Sequence, residues 1–333
     1  MPSFSRPRNS GFTLLEALIA LAILLIVVVV LAQFMTGIDL GWKAAAADPF
    51  AEAQDAFETV AHHLALAILA PYEDYAASGG AFRTNTPFIP DHLARRSDLD
   101  FVCGPGPGPN GLLAASGRTT MGSGVFFLEP AGYTQIDAHT GLEHLLNAMG
   151  YFVEFGADDT TPGFILSPAT SYRWRLKQVT QPSESLQIFA GGTSSSWIQS
   201  LTLSGAPLSV VAENVIALIV LPDRAADDSG SALAPAFSYD SRDTTNKLTL
   251  NQLPPRLLLA LVAIDQTSAI RLAAQNGSSA PPLVAATLFQ QAAQLNADLA
   301  TLDSSLTAQK IGHRIFQREI LLPSSCWSDV PSP

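Results

Sequence analysis

The chain opens on a short polar stretch, MPSFSRPRNSG, and turns apolar at Phe12. From Ala17 to Ile38 no residue is charged, a run long enough for a helix across a hydrocarbon core about 30 Å thick. Beyond it the spacing changes. Phe50, Ala53, Phe57, Val60, Leu64 and Ile68 recur at steps of three and four, which predicts an amphipathic helix packed on a globular domain. Asp48-Pro49 is a start signal, so a kink or break is expected there, and Pro71 is the expected end.

Residues 72–124 read as loop-rich, and the Gly-Pro alternation at 104–109 has period two, unlike the three of collagen. Strands are expected at Val125–Glu129, Tyr151–Phe155, Tyr172–Val179 and Ser185–Ala190. In the third, Arg173, Arg175 and Lys177 share a face. The strongest strand signals are Val210–Leu221 and Arg256–Asp265, the second entered at Pro254-Pro255. Leu288, Ala292, Leu295, Leu299, Leu302 and Leu306 mark a helix stopped by Gly312, and Arg314–Leu322 alternates into a last strand. The pattern predicts an α+β fold: a long N-terminal helix, half transmembrane and half amphipathic, on a domain with a largely antiparallel sheet. Its expected divisions are a leader at 1–11, a membrane and assembly helix at 12–38, its amphipathic continuation at 39–71, and a head at 72–333.

Composition narrows the function classes. Of 333 residues 47% are apolar, which excludes disorder throughout, and 18 basic against 29 acidic residues argue against a nucleic-acid binder with a basic face. Arg6 and Arg8 precede the span and none follows it closely, which places the leader in the cytoplasm and the head outside, in the periplasm. A secretory signal peptide shares the basic start, but its apolar core is shorter and ends at small residues. The alanines at 44–47 lie too far beyond the core to serve.

Glu16 is the one charge between Arg8 and Asp39. A carboxylate at the end of a membrane helix is costly and is either solvated at the interface or functional. Were the chain cut after Gly11, Phe12 would carry a new amine about one helical turn from Glu16. The amine of a neighbouring copy could then partner the carboxylate.

Gly11-Phe12-Thr13-Leu14-Leu15-Glu16 with the unbroken span after it resembles the N-terminus of type IV prepilins. That resemblance implies cleavage after Gly11 by a prepilin peptidase, N-methylation of Phe12, and a role for Glu16 in subunit assembly. Glu213-Asn214-Val215-Ile216-Ala217-Leu218, a polar loop and then Leu253-Pro254-Pro255 before a strand resemble the minor pseudopilin J of type II secretion. Pro71-Tyr72-Glu73-Asp74-Tyr75, Tyr172-Arg173-Trp174-Arg175-Leu176, Leu261-Val262-Ala263-Ile264-Asp265 and His313-Arg314-Ile315-Phe316 are similar to Verru_Chthon cassette protein C, a prepilin-like family. The implied protein is a structural minor pilin or pseudopilin, not an enzyme, with no cofactor. Its implied partners are the peptidase, other pilin-like subunits, the assembly machinery of the inner membrane and the bilayer, and no nucleic acid. The insert at 266–312 departs from the pseudopilin J pattern.

Two alternatives stay open: an anchored periplasmic enzyme or binding domain, and an adhesin with Tyr72, Tyr75 and Trp197 on one exposed face. No nucleotide-loop, zincin or serine-hydrolase motif occurs. His62 and His63 are about 100° apart on a helix and do not share one metal. His139 and His144 flank a turn, while Asp158-Asp159 and Asp223 with Asp227-Asp228 lack calcium-loop spacing, so solvated loops are expected. Cys103 and Cys326, in an oxidising compartment, are open to a disulfide or to two separate buried thiols.

Overall fold

The computed structural model describes Leu24, Val27 and residues 48–77, 88–107, 111–157, 172–189, 196–202, 208–225 and 230–331. The chain divides into two units, 1–49 and 50–333. In the first, Leu24 and Val27 are helical and exposed. The second is a globular domain built mainly of antiparallel sheets.

The head begins with α1 (Ala51–Ala65), whose buried face is Ala53, Ala56, Phe57, Val60, Ala61 and Leu64. Burying each large apolar side chain contributes roughly 1.5–3 kcal/mol. Phe57 stacks on Phe316 with ring centroids 5.7 Å apart. The guanidinium of Arg314 lies 4.9 Å from the Phe50 ring centroid, and Glu58 pairs with Arg318 at the surface. The expected boundaries shift at both ends. Phe50, not Asp48, is the N-cap, and no side chain caps the helix. The helix stops at Ala65 rather than Pro71, because the Ile68 N–H is taken by the Leu128 carbonyl at 2.8 Å. Ala70 then adopts a left-handed φ of 46°.

The stretch read as loop-rich holds three short strands, β1 (Tyr72–Ala76), β2 (His92–Arg96) and β3 (Val102–Pro105). β1 and β2 form their own two-stranded sheet. β4 (Thr119–Glu129), β5 (Asn147–Ala157) and β6 (Tyr172–Gln181) form the centre of a six-stranded sheet. Phe127 and Tyr151 stack towards α1 on one face, with His63 over Tyr151. On the other face Phe126 and Phe152 stack, and the Trp197 ring of α2 (Ser196–Thr202) meets Phe126 edge-on. Gly150 sits beneath the Phe126 ring, where a Cβ would come within 2.4 Å of it. The strand expected at Ser185–Ala190 is instead two short 3-10 turns, Ser183–Ser185 and Gln187–Phe189. Side chains hold them: Gln181 accepts from the Gln187 N–H at 2.9 Å, and Glu184 from the Gln135 N–H at 2.6 Å.

The run expected as one strand over Val210–Leu221 is two strands in different sheets. β7 (Leu208–Glu213) is an edge of the large sheet, while β8 (Val215–Asp223) belongs to a three-stranded one. Asn214 makes the break. Its φ is 59°, a conformation asparagine tolerates better than most residues. Its N–H donates to Trp174 O at 2.8 Å, and its carbonyl accepts from the Ile264 N–H at 2.9 Å, so one residue stitches the two sheets. β8 is buried on both faces, which is why its seven leading residues are all apolar.

β9 (Tyr239–Asp240) closes the far edge, giving the order β7-β6-β5-β4-β3-β9. β10 (Arg256–Ile264) and β11 (His313–Leu321) complete the order β11-β10-β8. The insert adds α3 (Gln266–Asn276), which sequence periodicity did not show, and α4 (Leu295–Ala308). Asp265 caps α3 by accepting from the Ser268 N–H at 2.6 Å. The helix expected from Leu288 starts only at Leu295, because the preceding chain is held by Asp298, which accepts from the Phe289 N–H at 2.8 Å.

Candidate functional site

Gly11, Phe12 and Glu16, and the span that follows them, lie outside the described residues. Among the described residues no helix is long and apolar enough to cross a membrane. What the structure supplies is the head, where Glu129 and Asp100 are fully buried carboxylates that the sequence did not single out.

The first is Glu129, fully buried at the end of β4, where it terminates the apolar run Val125–Leu128. One oxygen meets His63 Nδ1 at 2.6 Å, joining the last turn of α1 to the sheet. Among the described residues the other has no hydrogen-bond partner, and neither does the buried hydroxyl of Tyr151. Burial, reinforced by the nearby Glu129 charge, pushes the Tyr151 phenol well above its usual range. The cluster is a lock between helix and sheet.

The second is Asp100, fully buried before β3. Its carboxylate accepts from Trp197 Nε1 at 3.0 Å and from the Ser241 hydroxyl at 2.7 Å, while Ser241 Oγ accepts from the Phe101 N–H at 2.9 Å. Burial raises its pKa to about 7, helped by the Asp240 charge and opposed by the two hydrogen bonds and Arg242. These contacts tie three segments distant in sequence.

The basic face of β6 turns inward. Arg175 is buried and donates to Ala157 O at 2.8 Å, and Arg173 donates to Glu213 at 2.9 Å. Asp223 pairs with Arg256 at 2.7 Å, which leaves it an ion-pair partner rather than a solvated loop residue. Asp158, Asp159, Asp227 and Asp228 lie outside the described residues. His139 ends a 3-10 turn, and His62 is exposed beside His63.

The aromatic face proposed for an adhesin is not assembled. Trp197 is buried in the core, and Tyr72 and Tyr75, though exposed, lie on opposite faces of β1. Cys103 is buried on β3 and Cys326 is exposed near the C-terminus, and both thiols are free in this structure. Burial pushes the Cys103 thiol well above the ordinary range, which suppresses the reactive thiolate.

The model of the prokaryotic N-terminal methylation motif matches residues 6–32. No curated protein and no solved structure matches the chain. The matched residues contain Gly11, Phe12, Glu16 and most of the apolar run. The chain therefore has a prepilin-type N-terminus, joined to a head built mainly of antiparallel sheets.

Proposed function

We propose that the protein is a minor pilin or pseudopilin of a type II secretion or type IV pilus-like system. The observation that carries this reading is the methylation motif over residues 6–32, with Gly11, Phe12 and Glu16 in register before the span. The chain is made as an inner-membrane prepilin with its N-terminus in the cytoplasm and its head in the periplasm. A prepilin peptidase cuts after Gly11 and the new Phe12 amine is methylated. The mature subunit then passes from the bilayer into a short fibre of pilin-like subunits, drawn by separate assembly machinery. Its size favours a minor or tip position over a repeated one.

Glu16 separates assembly from anchoring. In an assembly helix its carboxylate partners the Phe12 amine of a neighbouring subunit. Breaking such a pair costs about 3–5 kcal/mol where it is buried. Glu16→Gln is expected to be processed and to stay in the membrane, yet to lose cross-linking to partner subunits. Unchanged cross-linking would instead indicate an anchored periplasmic domain.

A further inference from the structure

We propose that the head carries a binding site for an uncharged, ring-sized apolar small molecule, in the cleft between β4, β8 and the insert that follows α3. The cleft holds about 380 Å³, within the range of small-ligand sites and more than any one side chain fills. Its walls include Phe237, Phe289, Met121, Ile219, Val284 and Ser123, and among the described residues no titratable side chain lines it. A charged ligand entering it would lose hydration without gaining a partner.

Three features show that the cleft is built rather than left over. Phe237 and Phe289 both adopt a φ of 58°, a region that bulky residues rarely occupy. Their rings meet edge to face with centroids 6.3 Å apart and form one wall. The two loops are fastened by the Ala292 N–H on Pro235 O at 2.8 Å and by Asp298 on the Phe289 N–H at 2.8 Å. Backbone strain of this kind persists where the surroundings over-determine it, and it clusters at ligand sites.

The second feature is the bulge in β4, where pairing with β5 shifts register between Met121 and Val125. Gly122, at φ 72°, brings the strand against β8 so closely that a Cβ would lie 2.3 Å from Leu218 O. Bulges re-aim side chains, and here the bulged segment Met121–Ser123 lines the cleft. The third feature is the Ser123 hydroxyl. It is buried, receives the Val220 N–H at 3.4 Å, and gives its own hydrogen to no acceptor among the described residues. A ligand with one carbonyl or ether oxygen would take it.

The test uses the full-length protein in detergent, labelled at the methionine methyls and titrated with coumarin, an uncharged two-ring lactone. Methyl spectra should show a saturable shift at Met121, with buried Met149 as the unmoved control. Coumarin-3-carboxylate, the same ring with a charge, should bind at least about ten-fold more weakly, since nothing in the cleft offsets its desolvation. Ser123→Ala should weaken coumarin by about two- to ten-fold, the worth of one hydrogen bond, and leave naphthalene unchanged. Ala285→Trp, at an exposed position on the rim, fills the cleft without disturbing the core and should remove the saturable shift. No saturable shift at Met121, equal binding of the carboxylate, or full binding by Ala285→Trp would each overturn the proposal. None of these results depends on whether the chain enters a fibre.

Discussion

The segment around Gly11 and the head that follows Pro49 hold their specificity in different ways. The first matches its motif as a linear string, so in the proposed function its residue types and spacing are themselves what a peptidase and a bilayer would read. The head works through burial. Glu129 and Asp100 look like any other acid in the sequence, and each becomes distinctive because the fold removes water from it. The two buried acids differ in turn. Asp100 receives two donors from separate segments, while Glu129 has His63 on one oxygen and, among the described residues, no donor on the other. The contrast teaches that a match to the first unit says how the chain is handled, whereas the head's role is set by surfaces and clefts that only folding makes.

The largest effect is expected on the linear segment. Gly11→Leu puts a branched side chain where the peptidase reading requires none, and cleavage should be abolished rather than slowed. Head stability should not change, since unit 50–333 holds the whole described core. N-terminal sequencing and a thermal melt check both halves. Normal cleavage of the variant would remove the peptidase reading.

A smaller effect is expected at the lock between helix and sheet. His63→Ala takes away the hydrogen-bond partner that a fully buried carboxylate has among the described residues, at a cost of about 1–3 kcal/mol in unfolding free energy. Adding Glu129→Leu should recover much of that loss, because an apolar side chain needs no donor. Denaturant titration of the two variants decides the matter, and a double variant no more stable than His63→Ala would show that the carboxylate is not the source of the cost.

A pH slope is expected from Asp100. Its pKa in the fold, about 7, lies above the ordinary 3.8, so the folded state binds the extra proton. The stabilisation from protonation is full below about 4 and is lost as pH rises through about 7, on the order of a few kcal/mol. Asp100→Asn should flatten this slope. Its Oδ1 accepts from Trp197 while its amide donates to Ser241, whose hydroxyl turns from donor to acceptor. Thermal melts of both proteins between pH 4 and 7 measure the difference, and parallel curves would assign the slope to other groups.

The pattern of the sequence carried the head's framework but not its joints. The apolar stripe of α1 and the runs of β8 and β10 were legible because buried faces impose a period or an unbroken apolar stretch. The break at Asn214 was not, since Glu213-Asn214 is a brief polar interruption in a continuous apolar run and only pairing with two sheets reveals it. β1, β2 and β3 are four or five residues long and lie among glycines and prolines, where period two has no room to show. α3 was hidden because it buries only Ser268 and Ala269 and so has no strong apolar face. Its cap at Asp265 was the available signal. The cleft wall at Phe237 and Phe289 left no trace in spacing, because left-handed phenylalanines are held by tertiary contacts.

The central claim is that the first residues are a processing signal, and intact mass of the mature protein from membranes tests it most directly. The account predicts loss of residues 1–11 and a gain of one methyl group on the new N-terminal Phe12. A chain that still begins at Met1, or one cut beyond the apolar run near the alanines at 44–47, would contradict it.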